Sequence, residues 1–339
     1  MTENINKLIC NLINKLKLGI LIDEPVRVMG GLLNKMYMVN TSSGIYAVKH
    51  LNTEVMKRKN AKENHILAEK IANIAKGNNI NCVPAKIING ITLHEIEGNY
   101  FFIFNWFEGK TINEDEITIE HVQKVSTLLA KLHNTDFEEV KNECSLGKEI
   151  SEVNWDFYIS KVENEEIKEL LINQKEYLTE LDKKSTNARK EILNNLVVSH
   201  RDLDLPNILW DTENTPTIID WESSGVVNPC EELLETAWDW SGGQKYFDPK
   251  KFYSFLNTYK DNNGDLKDLN KAIYANFKNK SGWLEYNLKR VCKLECLDEE
   301  EQKLGEKEVV RVINEIIVFY ETMETLKIEE YKYDIISIK

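Results

Sequence analysis

The sequence predicts an α+β fold with an N-terminal antiparallel sheet, one main helix beside it, and a larger, mostly helical C-terminal lobe. Three observations carry this reading. Short apolar runs separated by turn residues fill residues 26–107, helical spacing dominates after Glu108-Gly109-Lys110, and one hairpin-like stretch interrupts the helices at residues 196–222. The change of pattern sets the expected boundaries: residues 1–104 form the first lobe, 105–110 a hinge and 111–339 the second lobe.

At the N-terminus, Leu8, Ile9, Leu12, Ile13 and Leu16 recur at helical spacing while Lys7, Lys15 and Lys17 interrupt any long apolar run. This excludes a signal peptide and a membrane span there and predicts a helix packed on the first lobe. Strands and tight turns follow from Val26 to Leu51. Gly30-Gly31 lets backbone N–H groups approach a phosphate, although hairpin turns use the same pair. Lys49 lies in an alternating strand and points either to solvent or into a cleft. A helix is expected over residues 61–76, between Asn60 as N-cap and Gly77 as stop. Ile66, Leu67, Ile71 and Ile74 mark its expected buried face, with Glu63 near the middle and Glu69 almost opposite. Glu63 therefore either pairs with Lys49 or completes a capping box with Asn60. Further strands are joined at Asn89-Gly90 and end near Phe107, where Asn105, Trp106 and Phe107 could offer backbone groups to a base. The second lobe opens with a helix carrying Val122, Val125, Leu129 and Leu132, with His133 as a packed neighbour. Later helices are expected at residues 229–240, 250–259, 266–278, 283–297 and 307–326.

Composition bounds the function. Over 339 residues, 42% hydrophobic and 29% charged content is that of a folded globular chain, and the net charge of -13 argues against nucleic acid and favours cationic small molecules. The six cysteines are scattered without a C-x-x-C pair, which fits reduced thiols in a cytoplasmic protein, and Cys292 and Cys296 lack a nearby His to complete a metal site.

The chemistry-bearing stretch is residues 196–222. Asn207 to Trp210 and Thr217 to Trp221 flank a polar turn and predict a hairpin. If Trp210 and Thr217 close it, Asn207 stands opposite Asp220, close enough for an amide oxygen and a carboxylate to share one hard cation. Asp202 lies on the loop before it. His200-x-Asp202-x-x-x-x-Asn207 has the spacing of the kinase catalytic loop, in which the Asp is the base and the Asn holds a metal, and Asp220 stands where the second metal ligand belongs. Each residue alone also suits a turn or strand end; the ordered set points to phosphoryl transfer.

Gly30-Gly31-x-x-Asn34, Ala47-Val48-Lys49, Phe107-Glu108-Gly109, the run from Leu128 to His133, His200-Arg201-Asp202-Leu203-x-x-Pro206-Asn207 and Ile219-Asp220-Trp221-Glu222, taken in order, resemble the aminoglycoside phosphotransferase and choline kinase superfamily. The resemblance implies a protein-kinase-like two-lobed fold with ATP or GTP between the lobes. It carries over Asp202 as base, Asn207 and Asp220 as Mg²⁺ ligands, and Lys49 as the phosphate-binding lysine, with Asn105 and Phe107 as backbone contacts to adenine. Asp204 departs from the family, whose small-molecule members often have His, Gln or Gly there. Only residues 223–228 separate Asp220 from the next helix, too few for a peptide-docking segment.

The expected activity is transfer of a γ-phosphate to a hydroxyl of a small, amine-bearing acceptor, an aminoglycoside as first guess, with choline, another amino alcohol or a sugar as alternatives. A nucleotide-binding protein without transfer activity is the reading of another class. Asp204, Glu231, Glu235 and Asp239 could supply a cation-binding wall, and Trp238 and Trp240 could stack on the acceptor. The alternative is a solvated helix face and two core aromatics. Monomer and homodimer are equally compatible, and neither nucleic acid nor membrane is an expected partner.

Overall fold

A computed structural model describes residues 2–28, 34–144, 152–296, 298–326 and 328. The chain divides into two compact units, one joining Met1–Ser145 to Val198–Val226, the other joining Leu146–Val197 to Val227–Lys339. Packing thus groups the hairpin stretch with the sheet.

The first unit runs α1 (Thr2–Leu16), β1 (Val26–Val28), β2 (Lys35–Thr41), β3 (Gly44–His50), α2 (Thr53–Met56), α3 (Ala61–Gly77), β4 (His94–Ile96), β5 (Asn99–Asn105), α4 (Ile119–His133) and α5 (Glu138–Lys141). The strands form an antiparallel sheet in the order β1-β2-β3-β5-β4. Alternation along each strand sends its side chains to opposite faces. On one face Ile9, Leu12 and Ile13 of α1 pack with Tyr37, Val39, Val48, Phe101 and Ile103, as the helical spacing predicts. On the other, Phe102 and Phe104 pack with Met56, Ala61 and Ala85. Lys49 alternates with Val48 onto this second face.

Helix α3 corrects one expectation. Its buried residues are Ala61, Ala68, Glu69, Ile71, Ala72 and Ala75, while Ile66 is 47% exposed and Glu63 is exposed. The alanines let the helix backbone approach its neighbours closely, so the small-residue stripe is buried and the bulkier Ile66 is left outside. Helix α3 is turned accordingly, putting Glu69 inward and Glu63 outward. Asn60 adopts a left-handed φ of +63° and makes no side-chain cap, so the Asn60–Glu63 capping box does not form either.

The hairpin stretch supplies β6 (Val197–Ser199), β7 (Ile208–Trp210), β8 (Pro216–Ile218) and β9 (Gly225–Val227). Trp210 pairs with Pro216 and Ile208 with Ile218, one residue away from the expected register, so Asn207 faces Ile219 and not Asp220. Proline sets the difference. Trp210 turns its N–H and C=O outward to Lys110, at 2.9 and 3.0 Å, so its partner across β7–β8 needs no N–H and Pro216 fits there. Asp211 closes the loop by accepting from the N–H groups of Glu213 and Thr215. On the other side Ile218 donates to the Asn81 carbonyl and accepts from the N–H of Val83, so the hairpin is bonded along both edges. Its turn is also gripped by α4, through His121 and Lys124 on Asn214.

The second unit is helical: α6 (Trp155–Lys161), α7 (Glu165–Ile192), α8 (Pro229–Asp239), α9 (Gly243–Tyr246), α10 (Pro249–Asp261), α11 (Leu269–Ala275), α12 (Phe277–Val291) and α13 (Glu299–Thr325). Its core includes Leu178, Leu233, Trp238, Trp240, Phe252, Tyr259, Leu288 and Phe319. Asp182 of α7 is buried and accepts from Lys278 Nζ and the N–H of Val153.

The loop geometry yields a stability prediction. Asp211→Ala removes the acceptor of two turn N–H groups and should lower unfolding free energy by about 1–2 kcal/mol in urea titrations. An unchanged midpoint would mean that the turn does not depend on this side chain.

Candidate active site

The residues of the expected catalytic loop assemble within the first unit. His200 is buried and donates through Nε2 to the Ile219 carbonyl at 3.0 Å, its ring edge-on to Trp221. This fixes the start of the loop against the strand that leads to Asp220. Arg201 then takes a left-handed φ of +66° and leaves Asp202 exposed to solvent. A single 3₁₀ turn, Leu205–Asn207, with proline at its start, brings Asn207 back beneath Asp202. The Asn207 amide donates to the Asp202 backbone carbonyl at 2.8 Å and to Asp202 Oδ2 at 3.1 Å. The donor end of Asn207 thereby orients the Asp202 carboxylate and leaves the amide oxygen as the end able to bind a cation.

Asp220 reaches the site by a route other than direct opposition. Ile219 donates to the Asn207 carbonyl at 3.0 Å, and the next residue, Asp220, has a left-handed φ of +59° that swings its side chain out of the strand line. Such a φ is strained for a non-glycine residue and is found where geometry at a site demands it. Asp220 Oδ1 accepts from Lys49 Nζ at 2.7 Å, and Glu222 Oε2 accepts from the same ammonium at 2.8 Å. Burial alone would push the Lys49 ammonium down, but the two carboxylates outweigh it and hold it well above the usual lysine range. Burial pushes Asp220 up, and Lys49 overcomes this to hold the carboxyl below its ordinary value. An amide oxygen and carboxylate oxygens are a hard donor set that fits Mg²⁺.

Asn34 donates to Glu222 Oε2 at 2.7 Å and accepts from the N–H of Asn52 at 2.9 Å. Gly30 and Gly31 lie outside the described residues. Glu63 does not approach Lys49, because α3 turns it to solvent. Glu69 is buried on the inner side, where its Oε2 accepts from the N–H of Ala85 at 2.6 Å. Burial pushes its carboxyl up to about 7, against the opposing pull of that N–H and of Lys49. Glu222 is the residue that sequence reasoning left without a role. Its signal was the acidic residue two beyond Asp220, which a left-handed turn at Asp220 returns to the same side.

At the end of β5, Asn105 pairs with Tyr46, and its side chain accepts from Lys86 Nζ at 2.7 Å. The N–H of Trp106 donates to the Ile45 carbonyl, which leaves the backbone of Asn105 and Phe107 as the segment's outward groups. A Cβ on Gly109 would stand 2.7 Å from Phe107 Cε1, so only glycine lets the Phe107 ring lie there.

The residues assigned to an acceptor wall are placed differently. Asp204 is half-buried in the first unit. In the second, Glu231, Glu235 and Asp239 recur on one face of α8. That face meets cations of the chain itself. Glu231 is buried against Arg189 at 2.9 Å, and Asn279 donates to Glu235 at 3.1 Å. Burial depresses the Lys280 ammonium, but Glu315, Glu235 and Asp239 outweigh it and raise it. Trp238 is 1% exposed, stacked on Phe247 and edge-on to Phe319, so it packs the core and is not open to stacking on a sugar. Trp240 is likewise fully buried.

The model of the phosphotransferase enzyme family matches residues 26–251. No curated protein sequence matches the chain. Among solved structures, a spectinomycin phosphotransferase in complex with ADP and spectinomycin is similar, with a TM-score of 0.70 at 14% identity, covering 93% of this chain and 98% of that one. An ethanolamine kinase from Plasmodium vivax gives a TM-score of 0.57 at 16% identity over 88% and 83% of the two chains. A macrolide 2′-phosphotransferase from Brachybacterium faecium gives 0.54 at 12% over 90% and 98%. At these identities the likeness is one of fold, a kinase-like fold with an antiparallel N-terminal sheet and a large helical part.

The burial of Glu69 has a pH signature. Its carboxyl is raised from an ordinary 4.5 to about 7, so across that window the folded chain keeps a proton that the unfolded chain has lost. Stability should therefore fall as pH rises through this window and level off above it. Between about pH 5 and about pH 8 the parent should lose on the order of 2–3 kcal/mol relative to Glu69→Gln in urea unfolding. Parallel pH profiles would remove Glu69 from a buried position.

Proposed function

The chain belongs to the phosphotransferase enzyme family, and from that premise we propose that it is a small-molecule kinase that transfers the γ-phosphate of ATP or GTP to a hydroxyl of an amine-bearing acceptor, an aminoglycoside first among them. Asp202 is the base. Its carboxylate is oriented by the Asn207 amide at 3.1 Å, which is the observation that carries the assignment. The base accepts the proton of the acceptor hydroxyl as its oxygen attacks the γ-phosphorus and the nucleoside diphosphate leaves. Lys49 contacts the α and β phosphates, and the backbone of Asn105 and Phe107 meets the base of the nucleotide. Asn207 and Asp220 would hold Mg²⁺, which supplies positive charge against the phosphate oxygens.

The amine-bearing acceptor is supported by the net charge of -13, by Asp204 two residues from the base, and by the likeness to a structure that holds spectinomycin. An ethanolamine kinase among the similar structures keeps amino alcohols as the alternative. The α8 carboxylates, which face Arg189, Asn279 and Lys280 of the chain itself, lend the acceptor no support. Among the described residues no helix is long and apolar enough to cross a membrane.

The test is a screen of aminoglycosides, choline, ethanolamine and a neutral sugar with ATP and GTP, read by coupled diphosphate formation, on the parent and Asp202→Asn. Turnover with an amine-bearing acceptor should fall about 10²- to 10⁴-fold in the variant, with nucleotide affinity nearly unchanged. Near-parental turnover would reduce Asp202 to a turn residue, and transfer to the neutral sugar alone would overturn the acceptor class.

A further inference from the structure

The lysine of a kinase-type site needs a carboxylate that stays with it while phosphates are bound, and in the kinase arrangement that carboxylate comes from the helix beside the sheet. Helix α3 carries two acidic candidates on the relevant turns. Glu63 faces solvent, and Glu69 is occupied with the N–H of Ala85 at 2.6 Å. Neither forms an ion pair with Lys49 among the described residues. The ammonium instead meets Asp220 at 2.7 Å and Glu222 at 2.8 Å. Asp220 is the residue assigned to the cation, which leaves Glu222 as the carboxylate dedicated to the lysine.

We infer that Glu222, braced by Asn34, is the positioning residue that holds Lys49 in line for the phosphates, in place of a glutamate from α3. The inference rests on the nucleotide-site reading above. Its geometry is that of a braced arm. Asn34 Nδ2 donates to the same oxygen, Glu222 Oε2, that receives the lysine, at 2.7 Å. Asn34 Oδ1 is itself fixed by the N–H of Asn52, the residue that caps α2. The carboxylate is thus held by two donors, Asn34 at the start of β2 and Lys49 on β3. Because Glu222 and the phosphates draw on the same ammonium, removing its charge should not weaken ground-state nucleotide binding. Loss of alignment should appear in turnover instead.

Glu222→Gln, Glu222→Asp, Asn34→Ala and Glu69→Gln are compared with the parent in two assays. The first is steady-state transfer to an acceptor found by the screen, with the nucleotide varied. Glu222→Gln should lower kcat about 10- to 100-fold with the nucleotide KM unchanged or lower, Glu222→Asp should recover part of the loss, and Glu69→Gln should change neither by more than about twofold. The second uses metal-free, nucleotide-free protein: acylation of Lys49 by an amine-reactive reagent, read by peptide mass spectrometry. It should quicken in Glu222→Gln and Asn34→Ala and stay at the parental rate in Glu69→Gln. Parental kcat in Glu222→Gln, or a loss in Glu69→Gln equal to it, overturns the inference alone. A parent that transfers no phosphate overturns the reading beneath it and the inference together, whereas unchanged Lys49 acylation in Glu222→Gln refutes the pairing whatever the kinetics.

Discussion

The buried ammonium of Lys49 is the constraint on which the rest of the first unit depends. Taking one cation and two carboxylates partly out of water costs several kcal/mol per ion unless each charge meets its partner at short range. Here the partners come from residues 171 and 173 positions away in sequence, at 2.7 and 2.8 Å. The strand that carries Lys49 must therefore sit against the turn that carries Asp220. The hairpin is bonded on one edge to Val83 and on the other to Lys110, and those ladders hold the turn where the ion pair needs it. The strained φ at Asp220 is the local expense of the same arrangement.

The site's chemistry follows from how little freedom the loop retains. His200 is bonded to the carbonyl before Asp220, Asn207 accepts from Ile219 and donates to Asp202, and the carboxylate of Asp202 is left exposed. One set of hydrogen bonds thus fixes Asp202, Asn207 and Asp220, the proposed base and cation ligands, relative to one another. Alignment of this kind is the main thing that phosphoryl transfer asks of a protein.

Much of this was legible in the sequence because Asp202, Asn207 and Asp220 stand close in the chain in a fixed order and spacing. The sheet, the packing of α1 and the spacing from His200 to Asn207 could all be read from periodicity and order. Four things could not. The hairpin register turned on a proline whose missing N–H only matters once Lys110 is known to take the other edge. The buried face of α3 was misread because alanine counts for little on a hydrophobicity scale but permits the closest approach. The second unit's longest described helix, Glu165–Ile192, buries only a thin stripe, including Ile167, Leu171, Leu178 and Leu181, among many charged residues, so its periodicity is faint. The carboxylates of α8 looked like a surface wall because Arg189 and Lys280, which neutralise them, lie far away in sequence.

The most direct test of the account is calorimetric titration of ATP into the parent and Asp220→Ala over a range of Mg²⁺ concentrations. If Asp220 is a ligand for the cation that accompanies the nucleotide, the parent's affinity should climb with Mg²⁺ and the variant's should respond at least about tenfold more weakly. A variant whose affinity follows Mg²⁺ as the parent's does would contradict the assignment of Asp220, and with it the reading of this cluster as a metal-assisted phosphoryl-transfer site.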